Sequence, residues 1–209
     1  MKPFTRHRGR AVPLDRANVD TDQIIPKEHC VRVERSGFGP YLFAHWRSEP
    51  GFVLDQPRHR GASILVAGDN FGCGSSREHA VWAIEDAGFR VVIAPSFGDI
   101  FATNCYKVGV LPIVLDTAEV RRLMRMVSAV PGTYVTVDLV TRVVEADSVG
   151  WEFAIDPFVA ECLRNGWDDI AMTLRHEADI TAFERGAGSV VAYRVGLRDA
   201  EKEAHDGRG

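Results

Sequence analysis

The sequence predicts an α/β fold with a parallel-strand core, and three observations carry that prediction. Short apolar runs recur at 62–67 (ASILVA), 90–95 (RVVIAP) and 110–115 (VLPIVL). Between them lie segments whose apolar residues fall at helical spacing, each closed by a glycine. Strand, helix, strand, helix, strand in that order is the pattern of parallel strands joined by right-handed crossovers. The chain has 209 residues, 45% of them hydrophobic and 26% charged, which is enough to bury a full core.

Each element has its own signal. The three runs are short, continuous and bounded by turn residues, as strands buried on both faces are. Ala80, Val81, Ala83, Ile84 and Ala87 share one helical face, and Gly88 supplies the stop. Ile100, Phe101 and Cys105 do the same, with Gly109 behind them. Val120, Leu123, Met124 and Val127 mark an amphipathic helix that Pro131-Gly132 ends. YVTVDLV (134–140) and WEFAID (151–156) then alternate as strands of a peripheral hairpin or meander. Asp156-Pro157 forms an N-cap and first-turn pair for a helix through Leu163, stopped by Gly166. A last helix is expected over 168–185, and CVRVERSGFG (30–39) reads as a strand followed by a loop. Residues 1–198 show no linker or repeat and are expected to form one domain, with a charged, frayed tail at 199–209.

Several function classes fall away. A formal net charge of −4 gives no basic field for nucleic acid. The start, MKPFTRHRGRAVPL, carries positive charge with no apolar stretch after it, and nowhere do about 18 apolar residues run together, so no membrane span or signal is expected and the chain reads as cytoplasmic. Cys30, Cys73, Cys105 and Cys162 lie far apart, without the spacing of a zinc, iron–sulfur or disulfide framework. NVDTDQ (18–23) lacks the glycine and terminal glutamate of a calcium loop, and His176-Glu177 is followed by Ile180 where a zinc protease needs histidine. No metal site is expected in this chain.

The chemistry concentrates in GDNFGCGSSREHA, residues 68–80, directly after the first buried strand. Ser75-x-x-Glu78 fits a capping box, which accounts for those two residues as helix-start chemistry alone. It does not account for Gly72 and Gly74, nor for Arg77 at a helix start, where the macrodipole disfavours positive charge. An anion bound there would reverse that cost, and the crevice at the carboxyl ends of parallel strands is where such ligands sit. The third glycine of a dinucleotide fingerprint and the GK[ST] of a P-loop are both missing. The G-x-S-x-G elbow fails because Gly74 stands directly before Ser75, and Cys73 has no assignable His partner. A small carboxylate substrate survives this elimination. His79 reads as a structural side chain packing beneath the loop. Asp20 and Asp22 read as turn or supporting residues near the crevice.

GSSREHA (74–80) resembles the signature of the swivelling β/β/α domain of aconitase-type hydro-lyases. Three further blocks, at 11–26, 35–47 and 168–174, together with the whole of 68–112, resemble the small subunits of bacterial 3-isopropylmalate dehydratase, so the resemblance spans nearly the entire chain. It implies a subunit that works with a larger partner carrying a [4Fe–4S] cluster, and that binds no cofactor itself. It implies interconversion of 2-isopropylmalate and 3-isopropylmalate through 2-isopropylmaleate, in leucine biosynthesis. In that family the serine matching Ser75 is the base, and the residues matching Ser76 and Arg77 hold a substrate carboxylate. A loop within 30–39 would meet the substrate's variable group, making Arg32 and Arg35 candidates there. A related hydro-lyase acting on homoaconitate, citraconate or dimethylmalate, or a non-catalytic module of the same fold, are the alternative readings.

Overall fold

The computed structural model describes residues 1–31 and 34–186, which group into two compact units, Met1–Asp168 and the segment from Asp169 onward. The first unit is built on one sheet of seven strands: β1 (Arg6–Leu14), β2 (Ala62–Ala67), β3 (Val91–Ala94), β4 (Leu111–Val114), β5 (Tyr134–Asp138), β6 (Val143–Ala146) and β7 (Val149–Glu152). Its helices are α1 (Thr21–Ile24), α2 (Ala44–Arg47), α3 (Glu78–Asp86), α4 (Asp99–Val108), α5 (Thr117–Ala129) and α6 (Pro157–Asn165). The strand order is β4-β3-β2-β1-β5-β6-β7. β1 to β4 pair in parallel, and β5 to β7 continue the sheet antiparallel.

The expected parallel trio is therefore β2, β3 and β4, and its continuous apolar runs have a direct cause. Alternate residues enter two cores, one on each face. Ile64, Val66, Val91 and Ile93 pack with α5 and α6, while Leu65, Ala67, Val92 and Ala94 pack with α3, α4 and the N-terminal segment. Both faces are covered over most of the trio, which favours apolar side chains; Ser63, at the half-buried start of β2, meets His7 at 2.8 Å, and Val114 at the end of β4 is exposed.

β1 is the strand that the sequence pattern conceals. Arg6, Arg8 and Arg10 stay exposed while Gly9 and Ala11 turn inward, and a register shift between Arg10 and Ala11 breaks the alternation. The peripheral strands also differ from expectation. β7 is Val149–Glu152, not the whole of 151–156, and it pairs with the short β6, so of the two expected forms the three-stranded antiparallel meander is the one that occurs. No strand is seen at the described part of 30–39.

The helix boundaries follow their caps. Asp156 accepts from the amides of Phe158 and Val159 at 2.9 and 3.1 Å, Pro157 opens α6, and Gly166 closes it in the left-handed conformation. Gly109 closes α4 in the same way. In the second unit, the expected helix over 168–185 is broken: α7 (Asp169–Leu174) is followed by a turn at 175–176 and a helical stretch at 177–186. The expected tail at 199–209 lies outside the described residues. No described helix is long and apolar enough to cross a membrane.

Candidate active site

The site forms where the loops after β1 and β2 meet at the carboxyl ends of those parallel strands, which is the place the crossover topology reserves for ligands. The two loops are stitched by backbone hydrogen bonds. The amides of Gly72 and Cys73 donate to the Val19 carbonyl at 2.7 and 3.2 Å, and the Thr21 amide donates to the Cys73 carbonyl at 3.0 Å. On the other side the Gly98 amide donates to the Phe71 carbonyl at 3.0 Å. The loop that carries the serines is thus held by backbone on both flanks.

Its glycines serve that packing. Gly72 has φ of 72°, and a Cβ there would lie 2.2 Å from the Phe101 ring. Gly74 has φ of 90°, and a Cβ there would make only ordinary contact with Asp20 at 3.4 Å, so the backbone conformation is what requires glycine. Both conformations lie in the left-handed region that favours glycine. The close approach that the sequence signalled is between protein segments.

The capping box does not form. The N-cap of α3 is Arg77, with φ −100°, ψ 108° and no side-chain cap bond, so Ser75 stands two residues too early to cap the helix. Its carbonyl and hydroxyl turn instead to Thr21. The Thr21 hydroxyl lies 3.1 Å from the Ser75 carbonyl oxygen and 3.2 Å from Ser75 Oγ. Thr21 is 2% exposed, whereas Ser75 and Ser76 are open to solvent.

Arg77 reaches across to Asp22 in a forked ion pair. Nη2 donates to Oδ2 at 2.9 Å, and Nη1 donates to Oδ1. The hydrogen bonds from Arg77 hold the Asp22 carboxyl below its usual range, and the same bonds raise the Arg77 guanidinium further above its own. Asp22 occupies the end-on pair of nitrogens and leaves the Nε edge of the guanidinium for a second carboxylate. Asp20 has a structural duty: it caps α1, accepting from the Gln23 amide at 2.7 Å while the Gln23 side chain accepts from the Asp20 amide.

Other expected residues fall in different places. Arg35 is exposed, with its guanidinium 5.6 Å from the Trp82 ring on the flank of α3, and is not joined to the Arg77–Asp22 fork. Arg32 lies outside the described residues. His79 packs edge-on against Phe38 at 5.3 Å and against Trp82 at 4.7 Å, the structural role read from the sequence. Cys30 comes near enough to the fork for Arg77 and Asp22 both to act on its thiol, which burial pushes up. Among the described residues, no group of three or more His, Cys, Asp or Glu side chains could hold a metal ion.

Thr21 is the site residue that sequence reasoning missed. Its signal was its position in DTDQ directly after β1, but that signal has meaning only once β1 is known to be a parallel neighbour of β2.

Comparison with known proteins agrees with this fold. The aconitase C-terminal domain family model matches residues 1–118, and the family model for the C-terminal domain of 3-isopropylmalate dehydratase small subunits matches 169–187. A 3-isopropylmalate dehydratase small subunit of Rubrobacter xylanophilus is 55% identical over 185 residues, covering 88% of this chain and 95% of the relative. That of Acidothermus cellulolyticus is 58% identical over 184 residues, covering 88% and 93%. The crystal structure of a 3-isopropylmalate dehydratase from Methanocaldococcus jannaschii superposes with a TM-score of 0.65 at 27% identity, covering 85% of this chain and 98% of that one. With the aconitase-type α/β fold, the serine–arginine loop at the strand ends and relatives above half identity along most of its length, the chain belongs to the 3-isopropylmalate dehydratase small-subunit family.

Proposed function

We propose that the chain is the small subunit of a two-chain hydro-lyase interconverting 2-isopropylmalate and 3-isopropylmalate through 2-isopropylmaleate, with Ser75 as the base and Ser76 and Arg77 holding a substrate carboxylate. The observation that carries this reading is the juxtaposition of an exposed serine, backed by the Thr21 hydroxyl at 3.2 Å, with a guanidinium two residues on that already forks one carboxylate. Family membership supplies the reaction class, and this geometry supports the roles proposed for the residues.

Removing a proton from the carbon beside a carboxylate moves charge onto that carboxylate. Donors aimed at it therefore stabilise the transition state more than the ground state. Arg77 offers its Nε edge, and the first-turn amides of α3, which helix geometry leaves without intrahelical partners, point to the same end. A serine acts as a base at neutral pH only when its alkoxide is held by donors and positive charge. The Thr21 hydroxyl is the donor within reach of Ser75 Oγ, and we assign the positive charge to Arg77 and the start of α3 nearby in the chain.

The arrangement is half of a site. Ser75 and Ser76 face solvent, and an open surface screens the charges on which the proton transfer depends. The [4Fe–4S] cluster that the reaction family implies finds no donor set among the described residues, so we assign it to the large subunit and leave to this chain proton transfer and carboxylate binding.

The test is co-purification under anaerobic conditions with the large subunit encoded in the same genome. Assay on 2- and 3-isopropylmalate and on a panel of substituted malates should show turnover by the pair, none by this chain alone, and preference for isopropylmalate. Turnover confined to homoaconitate, citraconate or dimethylmalate would replace the substrate, and no turnover on any of them by a well-folded pair would overturn the reading.

A further inference from the structure

We infer that Thr21 is the positioning residue that sets the protonation state of Ser75, and this inference rests on Ser75 being the base. The Thr21 hydroxyl has one proton and two Ser75 oxygens within reach, the carbonyl at 3.1 Å and Oγ at 3.2 Å. While Ser75 carries its proton, Ser75 Oγ donates to Thr21 Oγ1 and Thr21 donates to the Ser75 carbonyl, so every proton in the pair has an acceptor. When Ser75, which is exposed, has given its proton to solvent, the Thr21 O–H turns from the carbonyl to Oγ and becomes a charge-assisted donor to the alkoxide. Thr21 breaks no bond in either state. The proton from the substrate carbon ends on Ser75 Oγ, and the Thr21 hydroxyl then returns to the carbonyl.

Its surroundings fix the threonine for that task. Thr21 is 2% exposed, so little of its surface is left to solvent. Its amide is bound to the Cys73 carbonyl at 3.0 Å, its neighbour Asp20 bridges to Cys73, and α1 is capped by Asp20. The hydroxyl is therefore held against the serine by backbone contacts from both loops, and it touches neither Arg77 nor Asp22 through any hydrogen bond described above.

The experiment compares Thr21→Val, Thr21→Ser and Ser75→Ala in the reconstituted two-chain enzyme, with kcat and KM followed across pH and folding checked by melting. A lost donor to a charged acceptor corresponds to about a ten- to hundredfold effect, or about one to two pKa units. Removing a donor from the alkoxide raises the serine pKa, so in Thr21→Val the acidic limb of kcat/KM should move up by about that many pH units, with kcat depressed and KM little changed. Thr21→Ser, which keeps the hydroxyl, should restore the wild-type pH profile. If Thr21→Val folds and keeps the wild-type acidic limb, or Thr21→Ser fails to restore it, the inference is wrong. Full activity in Ser75→Ala would instead remove the base assignment beneath it, so the two failures are distinguishable. Should Thr21→Val fail to fold, the Thr21→Ser profile and the solvent isotope effect on the wild-type acidic limb still decide: a serine variant with a displaced limb refutes the role.

Discussion

Ser75→Ala is a cleaner probe than the sequence promised. Read as a helix cap, Ser75 would be expected to cost about 1 kcal/mol of stability when truncated, and lost activity could then reflect unfolding. The structure removes that ambiguity, because Arg77 occupies the N-cap and Ser75 is exposed. Truncation forfeits one hydroxyl contact, at 3.2 Å, and Thr21 keeps the Ser75 carbonyl as its acceptor at 3.1 Å. No buried polar group is orphaned, so the expected cost is about 0.5 kcal/mol, the low end for a hydrogen bond. For a chain of this size that moves Tm by about 1–2 °C. An acid–base group contributes about 10²- to 10⁴-fold, so kcat should fall by that factor while Tm barely changes. Turnover of 3-isopropylmalate by the reconstituted pair, followed by formation of the unsaturated intermediate, and melting of the same samples give both numbers. A variant that keeps more than about a tenth of wild-type kcat refutes Ser75 as the base. A fall in Tm well beyond about 5 °C would refute the geometry that frees Ser75 from structural duty.

Three other perturbations probe the surrounding residues. Arg77→Lys keeps the charge but loses the planar fork, and should lower kcat/KM about ten- to 150-fold in the reconstituted pair; unchanged kinetics would place Arg77 outside the site. Asp22 has its carboxyl lowered chiefly by the Arg77 hydrogen bond, so the pair's stabilisation is fully present above the unfolded carboxylate pKa of about 4 and is lost as pH falls through the lower folded value. Melting curves of wild type and Asp22→Asn should therefore converge as acid is added below about pH 4, and a constant gap would exclude the pair as the cause. Gly72→Ala puts a Cβ 2.2 Å from the Phe101 ring at a φ of 72°, and should cost about 2–5 kcal/mol, a Tm drop on the order of 10 °C. Gly88→Ala, at φ 93° with open space around it, should cost only about 1 kcal/mol, and equal losses in the two variants would rule out the ring contact as the reason.

The elements legible in the sequence are those whose residues answer to one rule. β2, β3 and β4 are buried on both faces over most of their length, so their runs are largely apolar, and α6 declares itself through Asp156, Pro157 and Gly166 within one local stretch. β1 answers to two rules. Its first half borders the antiparallel part of the sheet and leaves Arg6, Arg8 and Arg10 exposed, while its second half, past the register shift, is buried among the parallel strands. Neither periodicity survives across the whole strand. β6 and its partner β7 are only four residues each, VVEA and VGWE, too short for their alternation to stand out.

The site divides the same way. Ser75, Ser76 and Arg77 were legible because they are adjacent and sit at a strand-to-helix junction. Their partners were not, because the contacts that assign roles span 54 residues from Thr21 to Ser75 and 55 from Asp22 to Arg77. A local rule, the capping box, filled that gap and was wrong, since S-x-x-E states only that a cap could form and the competing acceptor lies in another loop. Those long contacts have a functional consequence. Together with the backbone bonds that tie residues 71–73 to the segments after β1 and β3, they hold the serine loop in place within this chain alone. The proposed catalytic surface nevertheless stays exposed, and an uncovered serine has the Thr21 hydroxyl for its alkoxide without the low dielectric that makes such a donor strong. Under the proposed function, association with the large subunit therefore acts mainly by covering this loop, and the basicity of Ser75 becomes a property of the assembled pair.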